Sequence, residues 1–444
     1  MKVTVHSEAR SLKASKELRD SRMDPDAGAV DGLIRYTRRD LIRVGVAGLI
    51  GSLGGLHRVV AADTSPGRTL GTPLDDDGKP ASEVKLRRAC GAGPGNPIVN
   101  CDIWAPNART PLQSLSGIIT PASLHFERSH SGTAHIDAGQ HRLMVHGEVA
   151  HPRVFTMEDI IRMPSVSRIC FIECAGNGWD NWARGKPEWT VQQTHGMIGT
   201  TDWTGVPLSV VLDQVGPRKG ARWMLAEGAD GAAVDRSVPL TEFVLANALL
   251  AYAQNGQPLR PGNGYPLRLV LPGFEGNMNI KWLRRLKLGT EPSMTRWETD
   301  TYTRLRPDGK AQQFYLIQDV NSVITDPSGG MNIAVGYHEI RGLAWSGRGR
   351  VLKAEVSADG GRSWKTAQLV DPILPQAQTR FRCDWHWDGK PSLLQSRATD
   401  ELGRTQPTRE ALIASVGPNA IYHYNAIQSW QLDEHGRLTN AGYL

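Results

Sequence analysis

The chain has only five cysteines in 444 residues, at positions 90, 101, 170, 174 and 383, and no Cys-x-x-Cys pair. A Cys-x-x-Cys-His haem attachment is therefore excluded. No flavin or nicotinamide fingerprint occurs, and no internal repeat. The most apolar stretch, Val44 to Leu56, is too short to span a bilayer, so no membrane span is expected. The net charge of +6 sits largely at the front, where residues 1–62 hold eleven Lys and Arg against seven Asp and Glu. The remainder is nearly neutral and has no basic stripe with interleaved aromatics, which removes nucleic acid as a partner. The whole chain, 40% apolar and 22% charged, has the composition of a soluble globular protein long enough for two or three domains.

Residues 1–35 are polar and aperiodic. Thr37-Arg38-Arg39-Asp40-Leu41-Ile42-Arg43, followed by the Gly-rich apolar stretch to Leu56, resembles a twin-arginine export signal, with Val60-Ala61-Ala62 suited to cleavage. Export by that route implies a protein folded before transport and a periplasmic destination. Residues 63–110 are rich in Gly, Pro, Asp and Asn and read as an irregular arm. In an exported protein Cys90 and Cys101 have the opportunity to pair, although spacing alone fixes no connectivity.

Regular structure is expected from Pro111. Strands are expected at His141–Val149, Ile169–Ile172, Trp223–Glu227 and Tyr265–Leu271. Helices are expected after Thr156, from Leu208 to Val215 behind Pro207, and from Thr241 through Ala253 to a stop at Asn255-Gly256. That mixture over 111–315 makes an α+β domain. From about residue 316 helix signals give way to short strands, including a hairpin of Val351–Ser357 with Ser363–Leu369 and strands at Phe381–Trp387 and Leu393–Thr399. Residues 316–430 thus read as an all-β, immunoglobulin-like sandwich, with 431–444 as a tail.

The chemistry concentrates at Phe171-Ile172-Glu173-Cys174-Ala175-Gly176-Asn177-Gly178. An apolar strand runs into a turn of small residues, placing one thiol at a sheet end that something bulky can approach. A lone Cys behind a core strand is more often a packing residue, so the turn by itself leaves metal ligand and core thiol both open. Cys170, on the same side of the strand, reads as core.

Three stretches together resemble the sulfite oxidase family of molybdenum enzymes: Phe126-Glu127-Arg128-Ser129-His130, the Cys174-Ala175-Gly176-Asn177 turn, and Gly264-Tyr265-Pro266-Leu267-Arg268 continuing to Pro272-Gly273 and Lys281-Trp282-Leu283. Gly342–Gly347 and Val356–Gly361 are similar to that family's dimerisation sandwich. Within the family, Gly273–Asn279, Lys281–Leu288, Thr303–Lys310 and Tyr422–Trp430 are most similar to the branch that oxidises sulfane sulfur.

The resemblance implies a molybdenum held by molybdopterin, oxo groups and one protein thiolate, Cys174, whose soft sulfur suits a metal already bound by sulfur. It implies cofactor contacts from Phe126, Arg128, His130, Asp230, Asn263, Arg268, Asn279, Ile280 and Lys281, with arginine and lysine meeting the pterin phosphate. Arg128 would orient substrate and Tyr302 would serve as a hydrogen-bonding or proton-relay group, or else as a half-buried structural tyrosine. Three departures weaken a reading of free sulfite as substrate. Gly178-Trp179 stands where sulfite oxidases carry an arginine, Asn263 where they carry a histidine, and Asn425-Ala426-Ile427 where they carry another arginine. Fewer cations bind a small dianion less well. The implied partners are a c-type cytochrome subunit in a heterotetramer, a sulfur-carrier protein bearing the substrate, and a second copy through the sandwich, with no haem in this chain. A sulfite dehydrogenase is the second enzyme reading. A non-catalytic exported binding protein is the reading from another class.

Overall fold

A computed structural model describes residues 107–442 apart from 183, 184, 419 and 421. The paired arginines, the arm up to residue 106 and the Cys90–Cys101 question lie outside the described residues. The first body is built on two five-stranded sheets. One runs Gln257–Pro258, Leu249–Gln254, Ile198–Pro207, Val166–Glu173, with Arg268–Val270 also paired to Leu249–Gln254. The other runs Arg153–Thr156, Arg142–Gly147, Leu283–Gly289, Trp223–Gly228, Asp235–Pro239. All pairings are antiparallel except Leu283–Gly289 on Arg142–Gly147. Period-two alternation drives the second sheet: Leu143 and Val145 are fully buried while Met144 is exposed, so one face carries the core and the other meets solvent.

The helices are short, and three of them start on a threonine whose side chain accepts from the first turn. The helix expected after Thr156 is Met157–Arg162, and Thr156 and Asp159 form a reciprocal capping box at its start. The helix capped by Thr241 is only Glu242–Asn247. It does not continue through Ala253. Leu249, Leu250 and Ala251 are buried between two strand partners, and two rows of ladder bonds outweigh a run that local propensity alone leaves helical. The helix behind Pro207 stops at Asp213. The expected strand at 265–271 shortens to Arg268–Val270.

The second body is a sandwich of a four-stranded and a five-stranded sheet, closed over Val323, Leu343, Trp345, Val356, Phe381, Leu394 and Trp430. The expected hairpin divides. Lys365–Thr366 stays on Val351–Ser357, whereas Gln368–Val370 crosses to Thr379–Trp387 in the opposite sheet. Ala367 is the pivot, buried and bonded through its N–H to the Ala354 carbonyl. Residues beyond 430 are not a tail: Ser429–Leu432 and Leu438–Asn440 add the last two strands, since Trp430, Leu432 and Leu438 alternate inward. Among the described residues no helix is long and apolar enough to cross a membrane.

Candidate active site

Cys170, Ile172 and Cys174 point to one side of Val166–Glu173 and pack with Phe126, Trp203 and Val270. Cys170 is buried, and burial pushes its thiol up to about 12, which fits the core role. Cys174 is half-buried and emerges into a cavity enclosing about 690 Å³ of open space. Its turn is tightly fixed. Cys174 N–H bonds to the Met197 carbonyl at 3.0 Å, Asn177 N–H to the Cys174 carbonyl at 2.9 Å, and Gly176 N–H approaches Sγ at 3.4 Å. Burial raises the Cys174 pKa and the Arg128 charge opposes it. Opposite the turn, Gly276 packs so closely that a Cβ there would lie 3.0 Å from Cys174 Cα and 2.7 Å from the Glu173 carbonyl oxygen.

All eleven candidate residues line this one cavity: Phe126, Arg128, His130, Cys174, Asp230, Asn263, Arg268, Asn279, Ile280, Lys281 and Tyr302. Arg268 is 3% exposed. Its two terminal nitrogens donate to the Asn263 and Asn279 carbonyls at 2.7 and 3.0 Å, the guanidinium lies 4.8 Å from the Trp203 ring, and Nε is buried without a partner. Burial lowers its pKa to about 9. Lys281 Nζ is held by the Arg128 and Gly262 carbonyls, each at 3.0 Å, and by Ser129 Oγ at 2.8 Å. The Asn263 amide donates to the Phe126 carbonyl, while the Asn279 amide ties Leu271, Phe274 and Glu275 together. Asp230 accepts from Ser131 Oγ and from Val234 N–H, each at 3.1 Å.

The Tyr302 hydroxyl and His130 Nε2 share a hydrogen bond at 3.1 Å. Burial, reinforced by the charges of Arg128 and Lys281, lowers His130 to about 3, so the imidazole is neutral. Burial first, then the neighbouring Cys174 and Tyr422, hold the Tyr302 phenol well above its ordinary value. The ring lies between the Arg236 guanidinium, 4.6 Å from its centroid, and the Tyr422 ring at 5.2 Å.

Sequence reasoning missed the charged network behind Tyr302. Arg236 is fully buried and bonds Glu298 at 3.0 and 3.2 Å and Glu275 at 2.9 Å. His423 reaches the other oxygen of Glu275 at 2.9 Å. Burial works against the Glu275 carboxylate, but Arg236 and His423 outweigh it and hold its pKa below the usual range. A signal existed: Arg236 shares a strand face with the buried Val238, an arginine written into a core position. Trp182 is buried and packs edge-on to Tyr424 at 5.2 Å, whereas Trp179 is exposed. Neither lines the cavity. Gly178, with φ of +76°, faces Tyr424 rather than the cavity.

The donor set fits the cofactor that the resemblance implies. Among the described residues no group of three or more His, Cys, Asp and Glu side chains is placed to hold a bare metal ion. One thiol facing a cavity with Arg128, Arg268 and Lys281 on its walls suits a metal whose other ligands arrive on an anionic organic group. The unpartnered Arg268 Nε and Asn277 Nδ2 are buried donors in the same walls, and such donors are normally satisfied.

Comparison with known proteins agrees. Residues 130–297 match the family Oxidoreductase molybdopterin binding domain and residues 314–429 the Mo-co oxidoreductase dimerisation domain. Mouse mitochondrial sulfite oxidase is 34% identical over 281 residues, 59% of this chain and 52% of its own, so the chain spans about half the length of that relative. Sulfite oxidase of Gallus gallus is 30% identical over 334 residues, covering 71% of this chain and 72% of its own. The crystal structure of the sulfane dehydrogenase SoxCD from Paracoccus pantotrophus superposes with a TM-score of 0.73 at 42% identity, covering 80% of this chain and 95% of that one. The chain belongs to the sulfite oxidase family of molybdopterin oxidoreductases.

Proposed function

We propose that the chain is the molybdenum subunit of a periplasmic sulfane dehydrogenase, exported folded by the twin-arginine route. It oxidises the sulfane sulfur of thiosulfate held on a carrier protein and passes the electrons to a c-type cytochrome subunit in a heterotetramer. It pairs with a second copy through its sandwich. The observation that carries this reading is the 42% identity over 95% of the SoxCD chain, against 34% and 30% to the mouse and Gallus gallus sulfite oxidases. The cavity's charge supports it. Gly178 faces Tyr424, and the one extra buried cation nearby, Arg236, is committed to two glutamates. A small dianion gains little from either.

The molybdenum cofactor, when bound, supplies two-electron oxidation at sulfur with oxygen drawn from water. Cys174 would hold the metal, and His130, Asp230, Arg268 and Lys281 the pterin and its phosphate. Arg128 would orient a polar sulfur group and screen charge developing on oxygen. The bond to neutral His130 fixes the Tyr302 hydroxyl at the cavity wall, where the phenol would help to position a polar substrate group. The lack of a Cys-x-x-Cys-His motif is in keeping with haem carried by another subunit.

Steady-state turnover on carrier-bound thiosulfate and on free sulfite, with cytochrome c as acceptor, tests the reading. Preference for the carrier-bound substrate is expected, and fast turnover on free sulfite would instead make the chain a sulfite dehydrogenase. Protein matured in a molybdopterin-competent host should contain molybdenum. Its absence would leave only a non-catalytic binding protein.

A further inference from the structure

A file of rings leads from the cavity to the surface. Tyr302, on the cavity wall, faces Tyr422 at 5.2 Å between centroids. The next residue, His423, lies 4.2 Å from Tyr315. Tyr315 belongs to the wall of a second cleft, of about 960 Å³ open space, bordered by the helix Arg409–Val416. The His423 ring is held in this file from both sides, by Glu275 at 2.9 Å and by Gln318 Oε1 at 3.2 Å.

The second cleft carries unspent positive charge. Arg304, Arg306 and Arg404 line it against one carboxylate, Asp319, which is already ion-paired to Arg348 at 3.2 Å. Arg304 stacks 4.2 Å over Tyr315, with Nε on Gln312. Arg306 and Arg404 are exposed, and neither side chain makes an ion pair or hydrogen bond among the described residues. Guanidinium forks left open on a surface are matched by carboxylates. Electron transfer slows steeply with distance, so an acceptor protein is served best where ring contacts bring the redox site closest to solvent.

We propose that this basic cleft is the docking site for the acidic face of a one-electron acceptor protein, reached from the cavity through Tyr302, Tyr422, His423 and Tyr315. The proposal rests on the reading of the cavity as a sulfur-oxidising centre with a protein acceptor. For each two-electron oxidation of a sulfur atom, the acceptor takes two electrons one at a time, each reducing a ferric haem to ferrous, and the protons released on oxidation pass to water. No bond to the ring side chains forms or breaks.

The test uses the full-length holoprotein and two probes, an acidic c-type ferricytochrome and the basic mitochondrial ferricytochrome c. Association is followed by stopped flow at low and high ionic strength. The wild type should associate with the acidic probe and not with the basic one. Arg306→Glu combined with Arg404→Glu should slow association at least about tenfold at low salt, with the difference disappearing at high salt. Both positions are exposed, so the unfolding midpoint should not move. Tyr315→Leu should leave association unchanged and slow reduction of the docked acidic probe. Equal association of the wild type and the double variant at low salt, or preference for the basic probe, overturns the docking site. An undiminished reduction rate in Tyr315→Leu overturns the route. Binding of oxidised cytochrome needs no turnover, so these results stand apart from the sulfur-oxidising reading, which fails separately if the wild type reduces no small dye acceptor with any sulfur substrate.

Discussion

Arg236→Met should be among the most damaging single substitutions in the chain. The side chain is fully buried and makes two bonds to Glu298, at 3.0 and 3.2 Å, and one to Glu275 at 2.9 Å. Both carboxylates are within 1% of complete burial. Removing the guanidinium leaves Glu275 with the His423 imidazole and Glu298 with the Ser237 N–H. Breaking a buried pair by deleting one partner costs about 3–5 kcal/mol, and here two carboxylates lose the same cation, so the upper end is expected. Glu298→Gln alone should cost less, about 1–3 kcal/mol, because Arg236 keeps Glu275. Joining it to Arg236→Met should recover part of the loss, as coupled neighbours do.

Urea unfolding followed by tryptophan fluorescence at pH 7 and pH 5 reads these values. The pH dependence has a definite sign. In the wild type Glu275 has a depressed pKa, so its contribution is present at neutral pH and lost as pH falls through the carboxylate range. In the variant burial acts unopposed by Arg236, the carboxylate takes up a proton more readily, and the deficit should shrink between pH 7 and pH 5. A deficit under about 1 kcal/mol, or one equal at both pH values, would refute the claim that charge pairing holds this network.

Three further outcomes are expected. Cys174→Ser should abolish turnover and alter the molybdenum absorption spectrum, and an unchanged spectrum would remove Cys174 as the ligand. Gly178→Arg, which restores the arginine of sulfite oxidases, should not confer sulfite turnover. Its φ is +76° and a Cβ would lie 3.0 Å from the Tyr424 ring, so thermal unfolding should report a loss of stability instead. Burial raises Glu173 to about 7 from 4.5, so its folded state holds a proton the unfolded state releases. Its contribution should therefore fall as pH rises from about 4.5 to 7, by up to about 3 kcal/mol. Glu173→Gln should flatten that slope, measured as the difference from wild type.

Much of the site was legible because three short stretches resemble a known family. The Cys174 turn also shows itself by its small residues, whereas the Phe126–His130 stretch and the Gly264–Arg268 segment were legible through that resemblance, and the fold brings all three to one cavity. Alternation exposed Arg142–Gly147 and Val351–Ser357 as strands. The failures share a cause. Leu249–Gln254 was misread because its state depends on partners at 198–207 and 268–270. Gln368–Val370 changes sheets at a pivot that only Ala354 fixes. The Arg236–Glu275–Glu298–His423 network draws on four separate segments, and no window of sequence contains it.

The turn carrying Cys174 also has a history in time. Its anchors are made long after it: the Trp345 indole that bonds Glu173 comes 172 residues later, and Gln428, which holds Asn181, comes 247 residues after its partner. At about 5–20 residues per second, the second wait is roughly 12–50 seconds of synthesis. Throughout that interval the thiol turn has its local bonds, such as Cys174 N–H to the Met197 carbonyl, but not these later anchors. The residues that line the pocket all lie between His125 and Tyr302, but the strand that carries its thiol is braced from the second body, and a nascent chain stalled before the final strands should hold Cys174 in a more accessible turn.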